Sequence, residues 1–139
     1  MGTVIKSSKF TENKSTILKP IIYCGQEDLI GKEAVSISVI LAEKLSNIEI
    51  NRRTMQIEKC LYETILELAE DVVLKDLDVL FNPIYKVDIL KVMISVCKKK
   101  SFSAIWPGSY SDNKLIYAEE GFLDYKIYNI KDYDVTCII

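Results

Sequence analysis

The chain has 139 residues, is 49% hydrophobic and carries a formal net charge of −2, which is one domain's length with ample apolar material for a single core. So small a charge excludes a global field that gathers nucleic acid or an acidic membrane. The sequence contains no histidine, which excludes Ser-His-Asp and Cys-His catalysis and His-containing zinc sites.

No apolar run has the length of a bilayer span, and neither a signal peptide nor a myristoylation signal opens the chain, so a cytoplasmic protein without a membrane partner is expected. Cys24, Cys60, Cys97 and Cys137 form no CxxC pair and lie in apolar segments, as reduced, buried thiols do.

Residues 1–15 are polar and read as a tail or edge element, leaving 16–139 as one domain. Thr16 to Cys24 is apolar and β-rich and ends at Gly25, which predicts a buried strand. From Lys32 to Leu45 the apolar residues cover most of a helix circumference, which predicts a helix packed inside the domain, although its β-branched content also suits a strand. Asn47 to Ile50 is expected to give a short second strand. Ile57, Cys60, Leu61, Thr64, Ile65 and Leu68 recur at helical spacing, and Val72 to Leu74 reads as the third strand. After Pro83 a helix carries Val87, Leu90, Ile94 and Cys97 on one stripe. It stops at Lys98 to Lys100, where cations suit the negative end of its dipole. Ser103 to Trp106 predicts a fourth strand, ended by Pro107-Gly108. Ser109 to Asn113 resembles a hairpin turn into Lys114 to Ala118, and Val135 to Ile139 a closing strand. Alternating strand and helix predict an α/β fold, a three-layer, P-loop-NTPase-like domain with a mostly parallel sheet and helices on both faces.

A phosphate-binding loop reads GxxxxGK[ST] between a strand and a helix: backbone N–H groups cradle phosphates, the lysine neutralises them and the hydroxyl binds magnesium. Gly25, Gly31 and Lys32 stand in that context and are the candidate nucleotide-binding residues. The interval from Gly25 to Gly31 is one residue too long, and Glu33 replaces the hydroxyl residue. Glu27 and Asp28 add two further acids. Each like-charge pair at 4 Å costs on the order of 1 kcal/mol in water and more near a protein surface. One lysine and a helix dipole worth at most about 2 kcal/mol do not plainly overcome this. The acid that holds magnesium should directly follow the third strand. Lys75 stands there, with Asp76 and Asp78 behind it as the candidate metal ligands. No cofactor is therefore expected, with ATP and magnesium kept for a functional loop.

"DLDVLFNP" (Asp76 to Pro83), "IWPGSYSDNKLIYAEEG" (Ile105 to Gly121) and Asp124-Tyr125 resemble BrxF, the small P-loop-like component of type 3 bacteriophage-exclusion (BREX) defence systems. WPG followed by YAE-x-G is the most specific part. The resemblance implies an ATPase-like α/β core, a bacterial cytoplasmic setting and other phage-defence proteins as partners. Members of that family generally keep a recognisable phosphate loop, and this chain departs from it at Glu33 and in loop length.

In ATPases of this architecture the fourth strand ends near the γ-phosphate with a polar sensing residue; here it ends in Trp106. Two readings stand side by side. Trp106 covers the carboxyl edge of the sheet, or it joins Tyr110, Tyr117, Glu119 and Glu120 in a partner-binding surface. The functions weighed are correspondingly three. The first is a component of a BREX-type anti-phage assembly with a degenerate phosphate loop, acting through protein contacts with little or no hydrolysis; it leans away from an enzyme. The second is an active ATPase with an atypical loop. There Lys32 holds phosphates, Asp76 magnesium and Asp78 the attacking water, with Arg52 or Arg53 of a neighbouring subunit as a finger. The third is a nucleic-acid accessory protein using Lys98, Lys99 and Lys100, which near-neutral charge disfavours. A homo-oligomer is left open.

Overall fold

Short apolar runs bounded by turn residues become strands here, and longer stretches with helical periodicity become helices. The computed structural model describes residues 2–6, 20–24 and 34–139. Six strands form one parallel sheet: β1 (Thr3–Ile5), β2 (Ile21–Tyr23), β3 (Ala34–Ser36), β4 (Val72–Lys75), β5 (Phe102–Ile105) and β9 (Thr136–Ile138). Their order is β1-β9-β2-β5-β4-β3, and every pairing is parallel. Between β5 and β9 the chain makes an antiparallel ribbon of β6 (Ser109–Ser111), β7 (Lys114–Tyr117) and β8 (Lys126–Asn129). The fold is thus α/β with a parallel six-stranded sheet, compatible with three layers.

Helices α1 (Ile37–Ser46), α2 (Ile50–Glu67) and α3 (Ile89–Cys97) connect β3 to β4 and β4 to β5. Both steps move one strand along the sheet in the same direction, so right-handed crossovers carry these helices over one face. Accordingly α2 packs against both α1 and α3. The β1–β2 and β2–β3 connections run through residues outside those described, so the described helices make up a single layer.

Burial follows the predicted stripe closely on α2 and only in part on α3, where Val87 precedes the helix, Ile94 is half-buried and Met93 and Val96 take the inward face. Ile57, Leu61, Thr64 and Ile65 face inward from α2, and Leu90, Met93, Val96 and Cys97 from α3. They meet Ile22, Leu74 and Ala104 of the sheet in one core. Asp88 starts α3 by accepting from the Lys91 backbone N–H through Oδ1 (3.2 Å). Its Oδ2 accepts from the Tyr133 hydroxyl (2.7 Å), so one carboxylate caps the helix and ties it to the segment before β9. Lys100 is buried, only 9% exposed, and its Nζ donates to the Leu66 carbonyl at 2.8 Å. It thereby satisfies a carbonyl in the last turn of α2.

Two expectations are corrected. The stretch after Lys32 is not one helix: Ala34–Ser36 pairs with Val73–Lys75 as β3, and the helix starts only at Ile37. Asn47 to Ile50 is not a strand; it is the turn between α1 and α2, with Ile50 already helical. The physical reason is shared. The outer edge of β4 takes one strand: Ala34–Ser36 pairs with it, β-branched Val35 suiting a pleated edge, and Asn47–Ile50 finds no partner strand there.

Candidate functional site

In an open parallel sheet, ligand crevices lie beyond the carboxyl ends of the strands. At that edge β4 and β5 leave a cavity of about 510 Å³, lined by Lys75, Asp76 and Asp78 on one side and by Ile105–Gly108 on the other. Asp76 adopts a left-handed conformation (φ 58°, ψ 47°) that turns β4 into a short 3₁₀ helix, Leu77–Phe81. Aspartate tolerates this region better than most side chains. Asp78 stands in the first turn of that helix and is exposed. Both predicted metal ligands therefore reach the crevice. Among the described residues, however, no group of three or more His, Cys, Asp or Glu could hold a metal ion. Asp76 and Asp78 fit only the carboxylate part of a magnesium site, which ordinarily needs substrate phosphates as well.

Gly25, Gly31 and Lys32 lie outside the described residues. Shortly after Lys32 the chain is a strand, β3, which enters the sheet beside Val73 of β4. A phosphate-loop lysine opens a helix whose N-terminal N–H groups face the anion, whereas here β3 intervenes before α1.

Trp106 is 3% exposed and lines the crevice at the carboxyl edge. Its backbone N–H donates to the Tyr23 carbonyl at 2.9 Å, fastening the end of β5 to β2. Its indole Nε1–H donates to the Ile116 carbonyl at 3.0 Å, fastening the ribbon to the sheet. Gly108 explains the rest of the WPG motif, because a Cβ there would overlap that same Ile116 carbonyl oxygen. The hairpin that brings Ile116 back turns through Asp112 (φ 47°) and Asn113 (φ 62°), the two left-handed positions a two-residue type I′ turn requires.

Around Trp106 the aromatics form one cluster. Phe81 meets Trp106 edge-on at 5.5 Å and stacks on Tyr117 at 3.9 Å, while Tyr128 meets Trp106 edge-on at 5.9 Å. Burial, then the neighbouring Asp78 and Asp124 carboxylates, push the Tyr117 hydroxyl above its ordinary pKa, because each disfavours a second negative charge. Of the predicted partner surface, then, Trp106 and Tyr117 are joined through Phe81. Tyr110 is half-buried and donates to Asn113 Oδ1 at 3.1 Å, and Glu119 and Glu120 are exposed beyond β7. Sequence reasoning assigned no role to Phe81 or Tyr128; the FNP of "DLDVLFNP" was the available signal for Phe81. It also passed over Phe122 and Leu123, two exposed apolar residues directly after the YAEEG block.

Lys98–Lys100 does not make a free basic patch. Lys100 is spent on Leu66, and Lys99 Nζ lies 5.6 Å from the centre of the Tyr62 ring. No described helix is long and apolar enough to cross a membrane. No family model, curated protein or solved structure matches the chain.

Proposed function

We propose that this protein is a component of a bacterial, BREX-type anti-phage assembly, built on a P-loop-NTPase-like scaffold and acting through protein contacts, with little or no nucleotide hydrolysis. The motif blocks from Asp76 to Tyr125 support the assignment to defence. The scaffold reading draws on strand order. Counted from β2, the strand before the glycine loop, the parallel strands run fifth, first, fourth, third, second, with β1 added at the edge. This order sets the loop-bearing strand in the middle of the sheet, beside the crevice.

One observation carries the non-catalytic reading: Ala34–Ser36 is a strand, so the Gly31-Lys32 pair leads into a sheet edge and not into a helix N-terminus. The acids of the loop act in the same direction. Isothermal titration with ATP and magnesium is the test, with no micromolar binding expected. Micromolar binding that disappears in Lys32→Ala overturns the reading.

The strand order together with Asp76 and Asp78 at the crevice favours, as a second reading, an ATPase with an atypical loop. Magnesium-dependent hydrolysis abolished by Asp76→Asn is the result that reading requires, and its absence from the purified assembly removes it.

A further inference from the structure

Two of the four cysteines meet across neighbouring strands. Cys137 lies in β9 opposite Ile22 of β2, and register partners in a parallel pair point to the same face. Cys24 is two residues beyond Ile22, so strand alternation returns its side chain to that face. Its packing agrees: Cys24 lies against the core that holds Ile22 and Cys137, whereas Tyr23 and Ile138, which point the other way, do not belong to it. The Cys137 thiol donates to the Cys24 sulfur, which lowers the Cys24 pKa and raises that of Cys137. Cys24 is half-buried and Cys137 fully buried, so Cys24 combines thiolate character with access, the two properties of a reactive thiol.

We propose that Cys24 and Cys137 form a redox switch, in which a hydroperoxide oxidises Cys24 and Cys137 then closes an intrachain disulfide. The Cys24 thiolate attacks the terminal peroxide oxygen. An S–O bond forms, the O–O bond breaks, and the departing oxygen takes a proton and leaves as water or an alcohol. Cys24 is then a sulfenic acid, its sulfur oxidised by two electrons and the peroxide reduced by the same two. The negative charge that held the proton on Cys137 is gone at that stage. The Cys137 sulfur displaces hydroxide from Cys24, so an S–S bond replaces the S–O bond and the Cys137 proton leaves with the hydroxide as water. A dithiol reverses the linkage. Diagonal neighbours lie farther apart than directly opposed ones, so closure draws the backbone together. The end of β2 is the part that gives: Cys24 follows the last strand residue, Tyr23, in a bend, where its N–H donates to the Ile138 carbonyl at 2.9 Å. Oxidation thus resets the strand end immediately before Gly25. A reversible disulfide of this kind suits a reducing compartment. The chemistry needs neither nucleotide nor partner, so it stands or falls separately from the function proposed above.

The test is hydrogen peroxide added to the folded full chain, followed by alkylation of the remaining thiols and non-reducing peptide mapping. Two of the four thiols should be lost, with Cys24 and Cys137 in one cross-linked peptide of monomeric chain, and dithiothreitol should restore both. Cys137→Ser should stop at the sulfenic acid of Cys24, captured by dimedone, and Cys24→Ser should leave Cys137 a free thiol. Should Cys137→Ser fail to fold, Cys137→Ala is the second variant. All thiols intact after peroxide, or Cys24 passing to sulfinic acid unlinked in the wild-type chain, overturns the proposal. So does dimedone on Cys137 in the Cys24→Ser chain, a disulfide joining any other pair, or one that forms only in urea.

Discussion

Replacing Trp106 separates a covering role from a binding role. Trp106→Ala removes a buried indole and leaves a cavity, a change that costs about 3–5 kcal/mol. Trp106→Phe keeps a ring against Phe81 and Tyr128 but removes the Nε1–H that the Ile116 carbonyl accepts at 3.0 Å. Leaving that acceptor without its partner costs about 1–2 kcal/mol, or a fall in melting temperature of about 3–7 °C for a domain of this size. Urea unfolding followed by far-ultraviolet circular dichroism measures both variants. Trp106 is the only tryptophan, so the wild-type fluorescence reports its environment directly, and a blue-shifted emission that moves red on unfolding is expected. A Trp106→Phe variant with stability equal to wild type, together with wild-type emission typical of solvated indole, refutes the covering role.

Asp88→Ala should destabilise the fold by about 2 kcal/mol in the same assay, since it removes the α3 cap and the acceptor of the Tyr133 hydroxyl. Asp88→Asn keeps an oxygen for the cap and should lose less; equal losses would count against the cap. Thr64 Oγ1 is buried with no hydrogen-bond partner among the described residues, so Thr64→Val should leave stability unchanged or raise it, and a drop above about 1 kcal/mol would reveal a partner. Burial and then the Asp88 carboxylate push Tyr128 up to about 12, and burial with the Asp88 hydrogen bond pushes Tyr133 up as well. In folded protein these phenols hold protons that the unfolded chain releases near pH 10. The folded state therefore binds more protons, and stability should be intact below about pH 10 and fall as pH rises through about 12; a profile flat across that interval would contradict the burial. The Cys137 thiol, hydrogen-bonded to Cys24, lowers the Cys24 pKa, while burial raises that of Cys97. Iodoacetamide mapping by mass spectrometry should find Cys24 modified before Cys97 and Cys137, and the reverse order would exclude this pairing.

Features written in short-range patterns were readable from the residues alone. The stripe of α2, the β-branched run Val72–Leu74, a hairpin within Ser109 to Asn113 and the closing apolar strand each depend on neighbours a few residues away, although Ser109–Ser111 proved to be strand and only Asp112-Asn113 the turn. The crevice was legible in part, because Asp76, Asp78 and Trp106 follow strands readable locally and a parallel sheet brings strand ends together. Long-range packing decided the rest. Ala34–Ser36 belongs to a strand because β4, far downstream in the chain, leaves an edge to pair with. Trp106 is buried because the ribbon returns the Ile116 carbonyl to its indole N–H. Strand order, and with it which loops share the carboxyl edge, comes from pairings between distant segments, and no local periodicity encodes them.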